Sequence, residues 1–257
     1  MTIRRDAPPT FLQLTGHPVR WQLLRALAHS DQRVNELSAA VGRAQNAISY
    51  HLSRLRAGGL VSVHRSSADG RDSYYRIEMT HCREQLAAAG AALHPGLVPH
   101  LPPGPIRRGQ GAPVPVLFLC TGNSARSQIA EALLRHGGGD RFAPQSAGSH
   151  PKPLHPNAVR VMREYGIDIS DQRTKHLDEV GSERFQVVIT LCDKVREICP
   201  DFPGRPDSIH WSIPDPAAAG GRSAASYSAF QRTAEDLHTR IGFLIDHLDD
   251  TGQRVSA

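Results

Sequence analysis

Apolar residues early in the chain recur three and four positions apart: Leu23, Leu24 and Leu27, then Leu37 and Val41, then Ile48, Leu52 and Leu55. This is the period of short amphipathic helices following one another. Gly42 is placed to cap the second of them, and Gly58 and Gly59 stop a helix expected from about Gln45 to Ala57. The pattern then turns β-prone over Leu60 to His64 and Ser73 to Ile77, with Asp69 and Gly70 between them as a hairpin signal.

Further on the pattern changes. Val114 to Leu119 reads as a buried strand, followed by a loop and a helix from about Ser127 to Arg135. A second helix is expected over Asn157 to Tyr165, after His155 and Pro156 and ending at Gly166. Val187 to Leu191 reads as another central strand, and Ala225 to Leu248 as a closing amphipathic helix. Strands alternating with helices imply an α/β domain with a central parallel sheet and its site at the strand C-terminal ends. Between the two patterns, His94 to Pro115 reads HPGLVPHLPPGPIRRGQGAPVP, in which neither period survives. The expected organisation is a helical domain with a β-hairpin over 1–93, a semi-rigid proline-rich linker over 94–113 and an α/β domain over 114–257. There is no internal repeat.

The chain's 257 residues suffice for two domains with their own cores. No run of eighteen apolar residues is present, and Met1 to Pro9 carries Arg4, Arg5 and Asp6 in place of a secretory apolar run, so a cytoplasmic protein with no membrane partner is expected. Four cysteines are too few for a disulfide scaffold, which favours catalysis or metal binding. The formal charge of +5 suits an anionic partner, either nucleic acid or a small oxyanion.

The segment Val116 to Ser127, VLFLCTGNSARS, carries the sharpest chemistry. It puts Cys120 at the end of a strand and Arg126 and Ser127 at the start of a helix. The amides of Thr121, Gly122, Asn123, Ser124, Ala125 and Arg126 would form an anion nest, Gly122 allowing close approach and the helix dipole adding positive potential. That field favours the thiolate of Cys120. Arg126 would grip two oxygens of a tetrahedral anion, and Ser127 would hydrogen-bond the sulfur. An isolated strand cysteine is ordinarily a small hydrophobe; the surrounding loop is what makes Cys120 a candidate nucleophile.

On these residues, Val114 to about Leu248 resembles the low-molecular-weight phosphotyrosine phosphatase fold, and in detail the thioredoxin-coupled arsenate reductases of that fold. Phosphate and arsenate are near isosteres, so the loop identifies a tetrahedral oxyanion site without choosing the anion. The choice rests on VVITLCDKVREICP, Val187 to Pro200, where Cys192 ends a strand and Cys199 follows in an expected short, mobile helix. A phosphatase needs no further thiols, whereas reduction of As(V) must draw two electrons from sulfur. The resemblance implies a relay from Cys120 to Cys192 to Cys199, with thioredoxin as electron donor, arsenate as substrate and arsenite as product. Asp215, in HWSIPDP, resembles the family's general acid; an Asp-Pro pair is otherwise an ordinary turn. Asn123, Glu131 and Ser146 resemble residues that shape the loop or bind potassium in some reductases. Glu131 reads equally as a solvated helix residue and Ser146 as a turn residue. Lys175 stands where those enzymes have an acidic cation ligand, so no bound metal or cofactor is expected.

Gln13 to Ile77 resembles the ArsR-type winged-helix repressors, through Gly16, His17, Pro18, Arg20 and AISYHLSRLRAGGLV. The resemblance implies that Gln45, Asn46, Ser49, Tyr50 and Arg54 face the major groove of double-stranded operator DNA, with His64, Arg65 and Arg71 on a basic wing. It also implies a homodimer, with Leu12, Trp21 and the helix near Glu84 to Leu93 at the interface. Arsenic-sensing relatives often carry a Cys-x-Cys pair where this chain has Arg33 and Asn35, and the first half offers only Cys82. Whether Cys82 packs, joins a dimer site or works with other cysteines is open from the residues alone.

Overall fold

The computed structural model describes residues 7–68, 70–94, 97, 112–219 and 224–255. The chain divides into two compact units, Met1–Ile106 and Arg107–Ala257. The expected linker at 94–113, and Asp69 of the expected hairpin turn, lie almost entirely or wholly outside the described residues. Among the described residues, no helix is long and apolar enough to cross a membrane.

The first unit contains helices α1 (Thr10–Thr15), α2 (Pro18–Ala26), α3 (Val34–Val41), α4 (Gln45–Ala57) and α5 (Met79–Leu93), with strands β1 (Gln32–Arg33), β2 (Val61–Arg65) and β3 (Ser73–Ile77). Leu23, Leu24, Leu27, Leu37, Ile48, Leu52 and Leu55 are buried together with Leu14, Leu60 and Val61, so the helical period in the sequence is the core. Gly42 caps α3 at φ 67°, where a residue without Cβ is unstrained, and its amide donates to Ser38. Strand β2 is shifted one residue from the expected Leu60 to His64. It pairs antiparallel with β3, Val61 opposite Ile77 and Arg65 opposite Ser73, and β1 extends the sheet in the order β1-β3-β2.

The second unit is built on four parallel strands in the order β5-β4-β6-β7. They are β4 (Val114–Cys120), β5 (Phe142–Gly148), β6 (Val187–Thr190) and β7 (Asp207–His210). Central strands covered on both faces read as unbroken apolar runs, and β4 and β6 have that form. The edge strands do not. FAPQSAG and DSIH are mixed or polar, and Pro144 is tolerated because an edge strand has a side without ladder bonds. Neither was anticipated from the sequence.

Helix α6 (Arg126–Gly138) begins one residue before and ends three after the expected span. Near its end Gly138 packs against Phe142, where an added Cβ would lie 2.3 Å from the ring. Helix α7 (Pro156–Glu164) is capped by the His155 ring, and α8 (Asp193–Glu197) is a single short helix. The closing helix α9 spans Ala224–Val255, beyond the expected Leu248. Its buried residues Phe230, Ala234, Leu237, Ile241, Leu244 and Leu248 keep the helical period and join the same core as β4.

Candidate functional site

The C-terminal end of β4 delivers Cys120, 2% exposed, into a loop that ends at the first turn of α6. Its sulfur lies 3.0 Å from Ser127 Oγ. Asn123 takes φ 44°, a left-handed conformation that asparagine tolerates better than most residues. Its Nδ2 donates to Ser127 Oγ and Ser146 Oγ, each at 2.9 Å, and its Oδ1 accepts from the Lys175 amide at 2.7 Å. Gln128 Nε2 also reaches Asn123 Oδ1, at 3.1 Å. The loop is therefore held from inside by one asparagine.

It is held from outside through its main chain. The carbonyls of Thr121, Gly122 and Ser124 accept from the amides of His150, Lys152 and His155 at 2.8, 2.9 and 2.9 Å. In a trans peptide the N–H of the next residue points opposite to the carbonyl. The amides of Gly122, Asn123 and Ala125 are thereby turned to the other face of the loop, as an anion nest requires. Gly148 permits this closeness: an added Cβ would stand 2.8 Å from Asn123 N, Cys120 O and Thr121 O. The sequence drew attention to Gly122, where a Cβ would meet Ser124 Oγ at 3.1 Å and otherwise the Lys152 side chain at ordinary contact distance; the demanding glycine is Gly148 on the neighbouring strand.

Arg126 is 5% exposed. Its Nη1 donates to the Ile213 carbonyl at 2.8 Å, and Nη2 lies 3.6 Å from Asp215 Oδ1. Its Nε is buried and makes no hydrogen bond among the described residues. A buried donor left unsatisfied costs about 1–3 kcal/mol, a cost a bound anion would remove. Asp215 is half exposed and accepts from the Ala217 amide at 3.2 Å. Beside it, burial lowers the affinity of the His155 ring for a proton, an effect that Asp215 opposes.

The three thiols of this unit, all free, are unequally placed. Cys192 is buried and caps the N-terminus of α8; its sulfur is 3.3 Å from Thr121 Oγ1, on the residue next to Cys120. Cys199 lies beyond the end of α8, not within a helix as expected, because the helix stops at Glu197. Its thiol is partly buried, donates to the Pro200 carbonyl at 3.8 Å, and is pushed up by burial first and by Asp201 second. Cys120, Thr121, Asn123, Arg126, Ser127, Cys192 and Asp215 are thus brought together, and Cys199 lies past the end of α8, packed against the same core.

Two readings left open by the sequence close differently. Glu131 is buried, not solvated: Oε1 accepts from Arg135 at 2.6 Å and Oε2 lies 3.9 Å from Lys175 Nζ. Ser146 is a fully buried residue of β5, not a turn residue. The donors here do not suit a potassium ion, since the Lys175 ammonium already faces the carboxylate that would hold it. Among the described residues, no group of three or more His, Cys, Asp or Glu could hold a metal.

A further polar group in this unit went unread in the sequence. Thr190, Asp193, His210 and Ser212 are all buried and mutually bonded. His210 Nδ1 is 2.8 Å from Thr190 Oγ1, His210 Nε2 is 3.0 Å from Asp193 Oδ1, and Ser212 Oγ donates to the same carboxylate oxygen. The available signal was a threonine and an aspartate following an apolar strand.

In the first unit, Gln45, Asn46, Ser49, Tyr50 and Arg54 are all exposed on α4, opposite its buried Ile48, Leu52 and Leu55. Arg65 and Arg71 are exposed and His64 is half-buried near the Tyr74 ring. Trp21, Leu86 and Leu93 are exposed and Leu12 is half-buried. Arg33 precedes α3 and is paired with Asp72 at 2.7 Å and Glu36 at 3.2 Å. The Asp72 hydrogen bond, and Glu36 after it, fix its guanidinium charge. Cys82 lies in α5, its thiol donating to the Leu60 carbonyl at 3.8 Å and pushed up to about 11 by burial and then Glu78.

Residues 115–254 match the family of low molecular weight phosphotyrosine protein phosphatases, and residues 17–63 match bacterial regulatory proteins of the arsR family. Over 126 residues the chain is 38% identical to an arsenate reductase of Halalkalibacterium halodurans, covering 49% of this chain and 91% of that one. It is 41% identical over 128 residues to an arsenate reductase of Shouchella clausii and 39% identical over 126 residues to one of Bacillus subtilis, with the same shares covered. The chain belongs to the low molecular weight phosphotyrosine protein phosphatase family, with an arsR-family regulatory segment ahead of that domain.

Proposed function

We propose that the chain reduces arsenate to arsenite through Cys120, Cys192 and Cys199, and that its first unit binds operator DNA as a repressor. The observation that carries the enzyme reading is the second thiol at the anion loop, Cys192 Sγ 3.3 Å from Thr121 Oγ1. The relatives named as arsenate reductases, and the unsatisfied Nε of Arg126, support the same reading.

In the first step the Cys120 thiolate forms a sulfur–arsenic bond and one arsenate oxygen leaves as water, its proton supplied by Asp215. Cys192 then attacks the Cys120 sulfur. The sulfur–sulfur bond forms, the sulfur–arsenic bond breaks with its electron pair left on arsenic, and As(V) becomes As(III) while two thiols become a disulfide. Cys199 attacks Cys192, freeing the Cys120 thiolate and moving the disulfide to Cys192 and Cys199. The dithiol of thioredoxin takes up the oxidation. Burial, and Asp201 after it, raise the Cys199 thiol above its ordinary value, so its attack is favoured as pH rises.

The test is arsenate-dependent NADPH consumption with thioredoxin and thioredoxin reductase. Cys192→Ser is expected to abolish it, and full turnover in that variant overturns the relay. Cleavage of aryl phosphate needs only Cys120, Arg126 and Asp215, so a phosphatase activity would survive Cys192→Ser. Robust hydrolysis without arsenate-dependent NADPH use favours a phosphatase with a fused regulatory unit.

The first unit is proposed as a winged helix, with α4 in the major groove and the β2–β3 hairpin as its wing. Exposed Trp21, Leu86 and Leu93 support a homodimer through α2 and α5. Arg33 replaces a sensing thiol with fixed ion pairs, and Cys82 is not a ready thiolate, so arsenite release from this unit alone is disfavoured. The segment 94–113 is proposed as the tether between the units. Unchanged operator affinity upon adding arsenite, arsenate or a thiol oxidant would exclude a sensor role for the second unit.

A further inference from the structure

Asp193, Thr190, His210 and Ser212 have no part in the steps above, yet the structure keeps a carboxylate and an imidazole inside the protein beside Cys192. A buried carboxylate is a weak device for stability, because removing its charge from water costs several kcal/mol. The placement of these groups is more informative than their strength. Cys192 is fastened on both sides. Upstream, the Leu191 amide donates to the Leu119 carbonyl of β4 at 2.7 Å. Downstream, the Asp193 side chain is held from β7 and the residues after it, by His210 Nε2 at 3.0 Å and by Ser212 Oγ. Thr190 and His210 are directly opposite in the β6–β7 ladder, so their side-chain bond is set by the sheet register. Asp193 Oδ1, a carboxylate oxygen, accepts, so His210 Nε2 donates to it.

We infer that Asp193, clamped by His210 and Ser212, is a positioning residue that aims the Cys192 sulfur at Cys120 for the step in which arsenic is reduced. The inference rests on the reading of Cys192 as the second thiol of the relay. Disulfide formation demands close, in-line approach of two sulfurs, and a misplacement of about 1 Å can cost about a hundredfold in rate. The Thr121 hydroxyl orients the Cys192 side chain; a fixed neighbour adds a hold on its backbone. The pin also keeps Cys192 in place while the rest of α8 must yield for Cys199 to reach it.

The experiment is a single turnover with arsenate in the full chain carrying Cys199→Ser, where the reaction stops at the Cys120–Cys192 disulfide. The disulfide is timed by quenched mass spectrometry. In parallel, protection of Cys120 from alkylation by inorganic phosphate reports the anion loop, which is held by Asn123 and by the amides of His150, Lys152 and His155. Asp193→Asn is expected to slow disulfide formation by about tenfold to a hundredfold while phosphate protection stays at the parent level. His210→Gln, which keeps a donor, is expected to fall between the parent and His210→Phe. A parent-like disulfide rate in Asp193→Asn overturns the inference, and so does an equal loss of phosphate protection and rate in every variant. If Asp193→Asn does not fold, Ser212→Ala and His210→Gln decide by the same two readouts. If the Cys199→Ser parent itself forms no Cys120–Cys192 disulfide, the relay fails, and the inference with it.

Discussion

The two units place their informative polar residues in opposite ways. In the second, Asn123, Arg126, Ser127, Gln128, Glu131, Ser146 and Asp193 are buried and bonded to side chains or main chain of the same unit, on the elements around Cys120 and Cys192. In the first, Gln45, Asn46, Ser49, Tyr50 and Arg54 are exposed on one face of α4, above an almost wholly apolar core. A site that forms bonds to a small anion needs groups preorganised away from water. A face that reads a large charged partner needs them displayed, and desolvates them only on binding. The comparison teaches that substitutions in the second unit should couple activity to folding, whereas those in the first should separate binding from folding.

Four predictions press on that contrast. The largest effect is expected of Cys120→Ser: loss of arsenate turnover by about a thousandfold or more, with operator affinity in gel shifts unchanged. Next, Gly148→Ala should destabilise the second unit by about 2–4 kcal/mol, read by urea denaturation, because its new methyl meets three main-chain atoms. Arg54→Ala is expected to weaken operator binding by about 1–3 kcal/mol at unaltered melting temperature and turnover; a matching fall in stability would break the contrast. The smallest effect concerns Cys199. Its thiol is raised by burial and then by Asp201, so its thiolate grows as pH rises through neutrality and above. The transfer of the disulfide to Cys199 should quicken in that direction, and Asp201→Asn, by removing the second cause, should speed it by about twofold to fivefold at neutral pH in stopped-flow assays.

Much of this was legible in the residues. The apolar run of β4, the loop ending in Arg126 and Ser127, and the helical period of Ile48, Leu52 and Leu55 are local patterns, and local patterns survive in a linear text. What escaped is non-local. Strands β5 and β7 lie at sheet edges and lack an apolar run, so FAPQSAG and DSIH do not look like strands. Gly148 matters only because β5 lies beside β4, bringing it under the loop. Asp193 and His210 are seventeen positions apart and meet through the β6–β7 pairing. The solvated reading of Glu131 could not be closed from the sequence because its burial depends on the packing of α6 in the folded unit and on Lys175, forty-four positions away, as well as on the local Arg135.

The stretch that fastens the anion loop from outside reads His150-Pro151-Lys152-Pro153-Leu154-His155-Pro156, and its donors are the amides of His150, Lys152 and His155. Prolines, which have no amide hydrogen, fall only at positions that are not asked to donate. Because this fastening uses main chain alone, the side chains at 150 and 152 can drift while the ring keeps its shape, whereas the His155 ring is also tied to capping α7 and to Phe230. The spacing cannot drift: deleting a single residue from this stretch would slide a proline into a donor's place and leave a loop carbonyl unanswered.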